Sequence, residues 1–163
     1  MEDVTYSGWA IFQNYCLMSA VGGWFVAQIL KVFTGIFRIR DFSFRAMMFG
    51  TGGMPSSHSA SVVALCTSIA IKYGFRSPLF AISALFCIIV MNDATGVRRE
   101  TGKQSKALNL ILKDLFSESP ETVDENFREL IGHTPLQVVC GAITGFAVAM
   151  IMSFWPVFSP WAV

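Results

Sequence analysis

The sequence predicts an all-α integral membrane bundle, a single domain over residues 1–163. Three observations carry that expectation. The first is composition: of 163 residues, 53% are hydrophobic and 14% charged, whereas soluble domains carry about 25% charged residues. The second is clustering of the apolar residues into four runs, about Ile11–Phe33, Ser57–Ile71, Pro78–Met91 and Pro135–Trp155. The third is the placing of the cations. Lys31, Arg38, Arg40 and Arg45 follow the first run, and Arg98, Arg99, Lys103, Lys106, Lys113 and Arg128 follow the third. Only Lys72 and Arg76 lie between the second and third runs. The positive-inside rule then puts both termini outside and the two basic stretches in the cytoplasm.

The first run has the length of a membrane span, roughly 20 residues. Glu2 and Asp3 precede it with no basic residue, unlike a secretory signal, so it reads as a retained anchor. The second run is entered through Gly52-Gly53-Met54-Pro55-Ser56-Ser57-His58. Ser56 or Ser57 can cap the free amides of the helix and Pro55 suits its first positions. Such an N-terminus attracts anions. The second and third runs are short for a span and are expected as core helices of the bundle. Residues 93–132 form the one long polar insertion. Within it Ala107, Leu108, Ile111, Leu112 and Leu115 share a helical face, with Lys106, Asn109 and Lys113 opposite, which predicts an amphipathic helix along the membrane interface or against the bundle. A second short helix is expected over about Val123–Ile131. The last run is capped by Thr134 with Pro135 in its first turn, and its Gly141 and Gly145 allow close helix contact. That contact is expected within the chain; homo-oligomerisation stays open.

This topology gathers the ionisable residues of the helix ends. The second and fourth runs start at the cytoplasmic face, and the first and third end there. His58, His133, Lys31, Asp93, Arg98 and Arg99 therefore fall at one face and together suit an anion. Cys16, Cys66, Cys87 and Cys140 all lie in apolar runs without metal-ligand spacing and read as small buried residues. No metal and no cofactor are expected. A net charge of +1 argues against a nucleic-acid partner.

Pro55-Ser56-Ser57-His58 resembles the P-S-G-H element of the type 2 phosphatidic acid phosphatases and their acid phosphatase and vanadium haloperoxidase relatives. His133-Thr134-Pro135-Leu136-Gln137-Val138 with Gly141 and Gly145 resembles the end of their third motif. Gly52–Ala60, Asp93-Ala94-Thr95-Gly96-Val97-Arg98-Arg99 and Gly132–Pro135 together are similar to a divergent branch of small bacterial and plastid membrane proteins. The resemblance covers about Gln28–Gly145. It implies that His133 is the nucleophile, forming a phosphohistidine, and that His58 is the general acid for the leaving alcohol, with no metal. It implies Ser57 as a phosphate donor. Lys31 and Arg38 have the first-motif spacing, with Ile39 in place of its proline.

Two departures stand out. The parent arginine precedes the nucleophile by six residues, whereas Arg128 precedes His133 by five. Arg98 or Arg99 then supplies that cation. The parent aspartate that orients the nucleophile is Gln137, an amide without charge, and Asp93 is the alternative for that task. The expected function is a membrane phosphatase or phosphotransferase acting on a lipid phosphate or diphosphate in a bacterial inner membrane, its site facing the cytoplasm. The alternative is a non-catalytic protein that binds or transports an anionic lipid.

Overall fold

Five α-helices and one short 3-10 turn, Gly8–Gln13, make up residues 8–36, 53–115 and 134–155, the part of the chain that the computed structural model describes. The helices are α1 (Tyr15–Ile36), α2 (Ser57–Tyr73), α3 (Pro78–Thr95), α4 (Val97–Leu115) and α5 (Pro135–Ser153). No strand occurs among the described residues. The expected short helix at Val123–Ile131 lies outside them. Tyr15–Thr34, a stretch within Pro78–Leu112 and Pro135–Ser153 are long and apolar enough to cross a membrane.

α2 is the centre of the bundle. It packs against α1, α3 and α5, and the side chains it buries are small: Ser57, Ser59, Ala60, Val62, Ala64 and Ser68. Small residues let helix backbones approach, which supplies the packing that the hydrophobic effect cannot supply inside lipid. α1 approaches at Gly23, where a Cβ would come within 2.8 Å of the Ala60 carbonyl oxygen. α5 approaches at Gly141 and Gly145, where a Cβ would collide with the carbonyl oxygens of Ser56 and Ala60. The two glycines of the G-x-x-x-G pattern thus serve contact within the chain.

Of the two short runs expected as core helices, only the second is one. α3 turns Leu79, Ile82, Leu85, Phe86, Ile88 and Ile89 outward, and it packs mainly on α2. Its apolar residues surround it on all sides, so most of them face lipid whichever side meets the bundle. Its 18 residues extend about 27 Å, close to the thickness of a bilayer core.

Several polar side chains inside the bundle bond to backbone carbonyls, which take the place of water there. The Tyr15 hydroxyl donates to the Ala149 carbonyl at 2.8 Å, and Ser61 donates to the Ala20 carbonyl at 3.0 Å. Ser68, Ser83 and Thr144 donate to carbonyls one turn back on their own helices. Cys16 and Cys87 are buried free thiols, and Cys66 and Cys140 are half-buried ones.

Helix directions follow from these contacts. Lys31 late in α1 meets Ser57 at the start of α2, whereas Ala20 meets Ser61 further along it, so α1 and α2 are antiparallel. Gly74–Ser77 is a tight connection that sends α3 back along α2. Ser77 caps α3, its hydroxyl accepting from the Leu79 N–H. The end of α1, the start of α2, the end of α3 and the start of α5 therefore share one face of the bundle.

Candidate functional site

The loop Gly53–Ser56 enters α2 and is held from two sides. The Thr34 hydroxyl of α1 donates to the Met54 carbonyl. The Ser56 N–H donates to the Gln137 carbonyl of α5 at 3.0 Å. Ser56 is the cap residue: its backbone is extended, and its hydroxyl accepts from the Ser59 N–H at 3.4 Å. Pro55 sits ahead of the cap and not in the first turn, because Ser56 takes the capping position and Ser57 opens the helix.

Lys31 reaches this helix start from below. It is 3% exposed, and its Nζ donates to Ser57 Oγ at 3.2 Å. Gly53 lies over its aliphatic stem, where a Cβ would sit 3.7 Å from Lys31 Cγ and Cδ. The φ of Gly53 is +100°, in the region that favours glycine. Among the described residues no carboxylate pairs with Lys31.

The chemistry of this pair follows from its donor inventory. An ammonium has three N–H donors, and one of them goes to Ser57. A buried ammonium is costly without acceptors, so the other two are available to further acceptors, an anion among them. The Ser57 hydroxyl accepts from Lys31 and keeps its own proton to donate. The Ser57 N–H opens the helix and has no preceding carbonyl to bond within it. Ammonium, hydroxyl and helix N-terminus thus converge at one point, a combination of donors that an anion can use.

Of the other residues singled out in the sequence, some belong to helix ends on the same face of the bundle and some lie outside the described residues. His58 is exposed and follows Ser57 on the first turn of α2. Asp93 is half-buried in the last turn of α3, the end that returns to the site's face. The backbones of Arg98 and Arg99 belong to the first turn of α4. Arg38 and His133 lie outside the described residues; His133 directly precedes Thr134, the cap of α5. Gln137 forms a capping box with Thr134. Its Oε1 accepts the Thr134 N–H at 2.9 Å, and Thr134 Oγ1 accepts the Gln137 N–H at 3.4 Å. The Gln137 carbonyl group therefore supports the helix end that carries His133. Among the described residues no three of His, Cys, Asp and Glu come together as a metal-holding group.

Thr34 and Gln28 escaped the sequence reading, and Gly53 was singled out only as part of the run that enters α2. Thr34 and Gly53 shape the loop over Lys31, and nothing in their local sequence marks that role. Gln28 is 5% exposed, one turn before Lys31 on α1. A signal existed for it: a polar amide inside an apolar run, three residues from a lysine, is unusual in a membrane helix.

A family model described as "Divergent PAP2 family" matches residues 12–148. A Bacillus subtilis (strain 168) protein described as "Uncharacterized membrane protein YuiD" is 35% identical over 155 residues, which is 89% of this chain and 98% of the relative. No solved structure matches the chain significantly. With the apolar helices, these matches make the chain an integral membrane protein.

Proposed function

The chain belongs to the divergent PAP2 family, and from that premise we propose that it is a phosphatase or phosphotransferase acting on a lipid phosphate or diphosphate. The observation that carries this reading is the buried Lys31 ammonium on Ser57 Oγ at the start of α2, with no carboxylate paired to it among the described residues. A lipid substrate suits a site at the helix ends, where a headgroup reaches the protein while its chains stay in the bilayer. The basic stretches on the same face favour the cytoplasmic leaflet of a bacterial inner membrane.

In this reading the phosphate docks on Lys31 and Ser57, with Arg98 or Arg99 and Arg38 as further cations. His133 attacks phosphorus in line, forming a P–N bond as the P–O bond to the lipid alcohol breaks. His58 gives its proton to the leaving oxygen, a general acid's task. Water or an acceptor alcohol then takes the phosphoryl group from His133, and His58 removes the attacking proton. The cations offset the charge that builds on the phosphoryl oxygens. Asp93 orients His133 and favours its charged form.

A second reading has an observation of its own. Gln137 stands where the parent family has its orienting aspartate, and its side-chain oxygen is engaged by Thr134. A protein that binds or transports an anionic lipid without turnover needs the cations and not a charged orienter. The test is phosphate release from a panel of lipid phosphates by purified protein, wild type against His133→Ala. Release by the wild type that the variant loses supports the enzyme. Lipid binding with no release across the panel supports the binder.

A further inference from the structure

α4 is the one described helix that stands apart from the bundle. It begins one residue after α3, across Gly96, whose φ of −98° and ψ of −88° interrupt the helix. Among the described residues it packs against α3 alone. Its sequence holds Arg98, Arg99, Lys103, Lys106 and Lys113 against Glu100 and Asp114, too much charge for a membrane span. Leu108 and Ile111 are about half exposed, and Leu112 falls on the same stripe by helical spacing. Lys103 and Lys106 are exposed and lie on the side of the helix away from Leu108, with the exposed Leu110 between them. Lys103 also pairs with Glu100 at 2.7 Å, and this face keeps a net positive charge through Lys106 and the arginines that precede it in sequence.

We propose that α4 lies in the plane of the membrane surface and docks on anionic, phosphate-bearing lipid headgroups. Its leucine and isoleucine stripe enters the acyl boundary and its lysines meet the headgroups, the arrangement a basic amphipathic helix takes at a bilayer. Charge complementarity selects this partner, and α4 continues directly from α3, whose outer face already meets lipid. The docking surface starts at the face that carries Lys31 and Ser57, so it places their site against an anionic leaflet. It stands apart from the phosphatase reading, since no turnover enters its test.

The test is amide hydrogen exchange of the full-length protein in nanodiscs, read at residues 103–112. Discs of phosphatidylcholine alone are compared with discs containing phosphatidylglycerol. Exchange in α4 should be slower in the anionic discs, and high salt should remove the difference. A lysine near an anionic surface is worth about fivefold in binding, so the pair Lys103→Gln and Lys106→Gln should lose most of the protection. Unchanged exchange in α1, α2 and α5 checks that the variant is folded, and the salt dependence of the wild type tests the idea without any variant. Free inorganic phosphate in the buffer should not reproduce the protection. Equal exchange in both lipids would overturn the proposal. So would protection that survives high salt, or protection that depends on two copies sharing a disc.

Discussion

Lys31 concentrates the conflict between stability and function in one side chain. A buried ammonium whose one partner among the described residues is a hydroxyl costs desolvation that the Ser57 contact only partly offsets. Replacing it with an apolar residue of similar length should therefore stabilise the bundle. Lys31→Met is expected to raise the unfolding midpoint in detergent while abolishing phosphate release. A lowered midpoint would show that the ammonium is a structural bond and not a ligand site. Ser57→Ala leaves the helix start intact, because the cap is Ser56, and removes both the acceptor for Lys31 and the outward hydroxyl proton. A hydrogen bond to a charged group is worth about 1.5–3 kcal/mol, so affinity for a lipid phosphate should fall by roughly tenfold or more, and stability should fall as well, because the buried Lys31 loses the hydroxyl that accepts from it. The sequence showed Lys31, Ser57 and His58 because ionisable and hydroxyl residues are conspicuous at the ends of apolar runs. It did not show the burial of Lys31 beneath Gly53, which depends on a loop pinned by Thr34 and Gln137 from two other helices.

Helix ends and helix crossings set the stability at the next scale. Thr134 and Gln137 form a reciprocal cap on α5, so each should cost about 1 kcal/mol when changed to alanine. Because the two bonds form one box, the double variant should lose less than the sum of the singles, a coupling that thermal unfolding of all four proteins can measure. Gly145→Ala drives a Cβ into the Ala60 carbonyl and should cost about 1–3 kcal/mol by overpacking. Gly22→Ala meets the flexible end of Met152 at 3.2 Å and should cost clearly less. Equal midpoints for the two glycine variants would contradict the packing described for α2 and α5. The starts of α2, α3 and α5 were legible in the sequence to within a residue, since Ser-Ser-His, Ser-Pro and Thr-Pro are strong N-terminal signals. The exposed side of α3 was not. Apolar periodicity cannot separate a helix that faces lipid from one that faces protein, and only the small residues of α2 hinted at which was central.

For the whole molecule, chain direction brings four helix ends to one face, which we propose, on the positive-inside rule, faces the cytoplasm. Arg76, in the connection between α2 and α3, belongs to the opposite face. Single cysteines placed at Arg76 and at Lys103 should react with a membrane-impermeant maleimide from opposite sides of oriented vesicles, Lys103→Cys from the cytoplasmic side. Labelling of both from one side would break the topology. The fold class was visible from composition and the four apolar runs. His133 and Arg38, which the family resemblance assigns to catalysis and phosphate binding, lie outside the described residues, so the mechanism rests on Lys31, Ser57 and the end of α5. The central claim is that a lipid phosphate binds Lys31 and Ser57, and calorimetric titration of the protein in nanodiscs with a short-chain phosphatidate tests it most directly. Wild type should bind, and Lys31→Met, folded and at least as stable, should bind at least about tenfold more weakly. Equal affinity in the two proteins would contradict the assignment of this site.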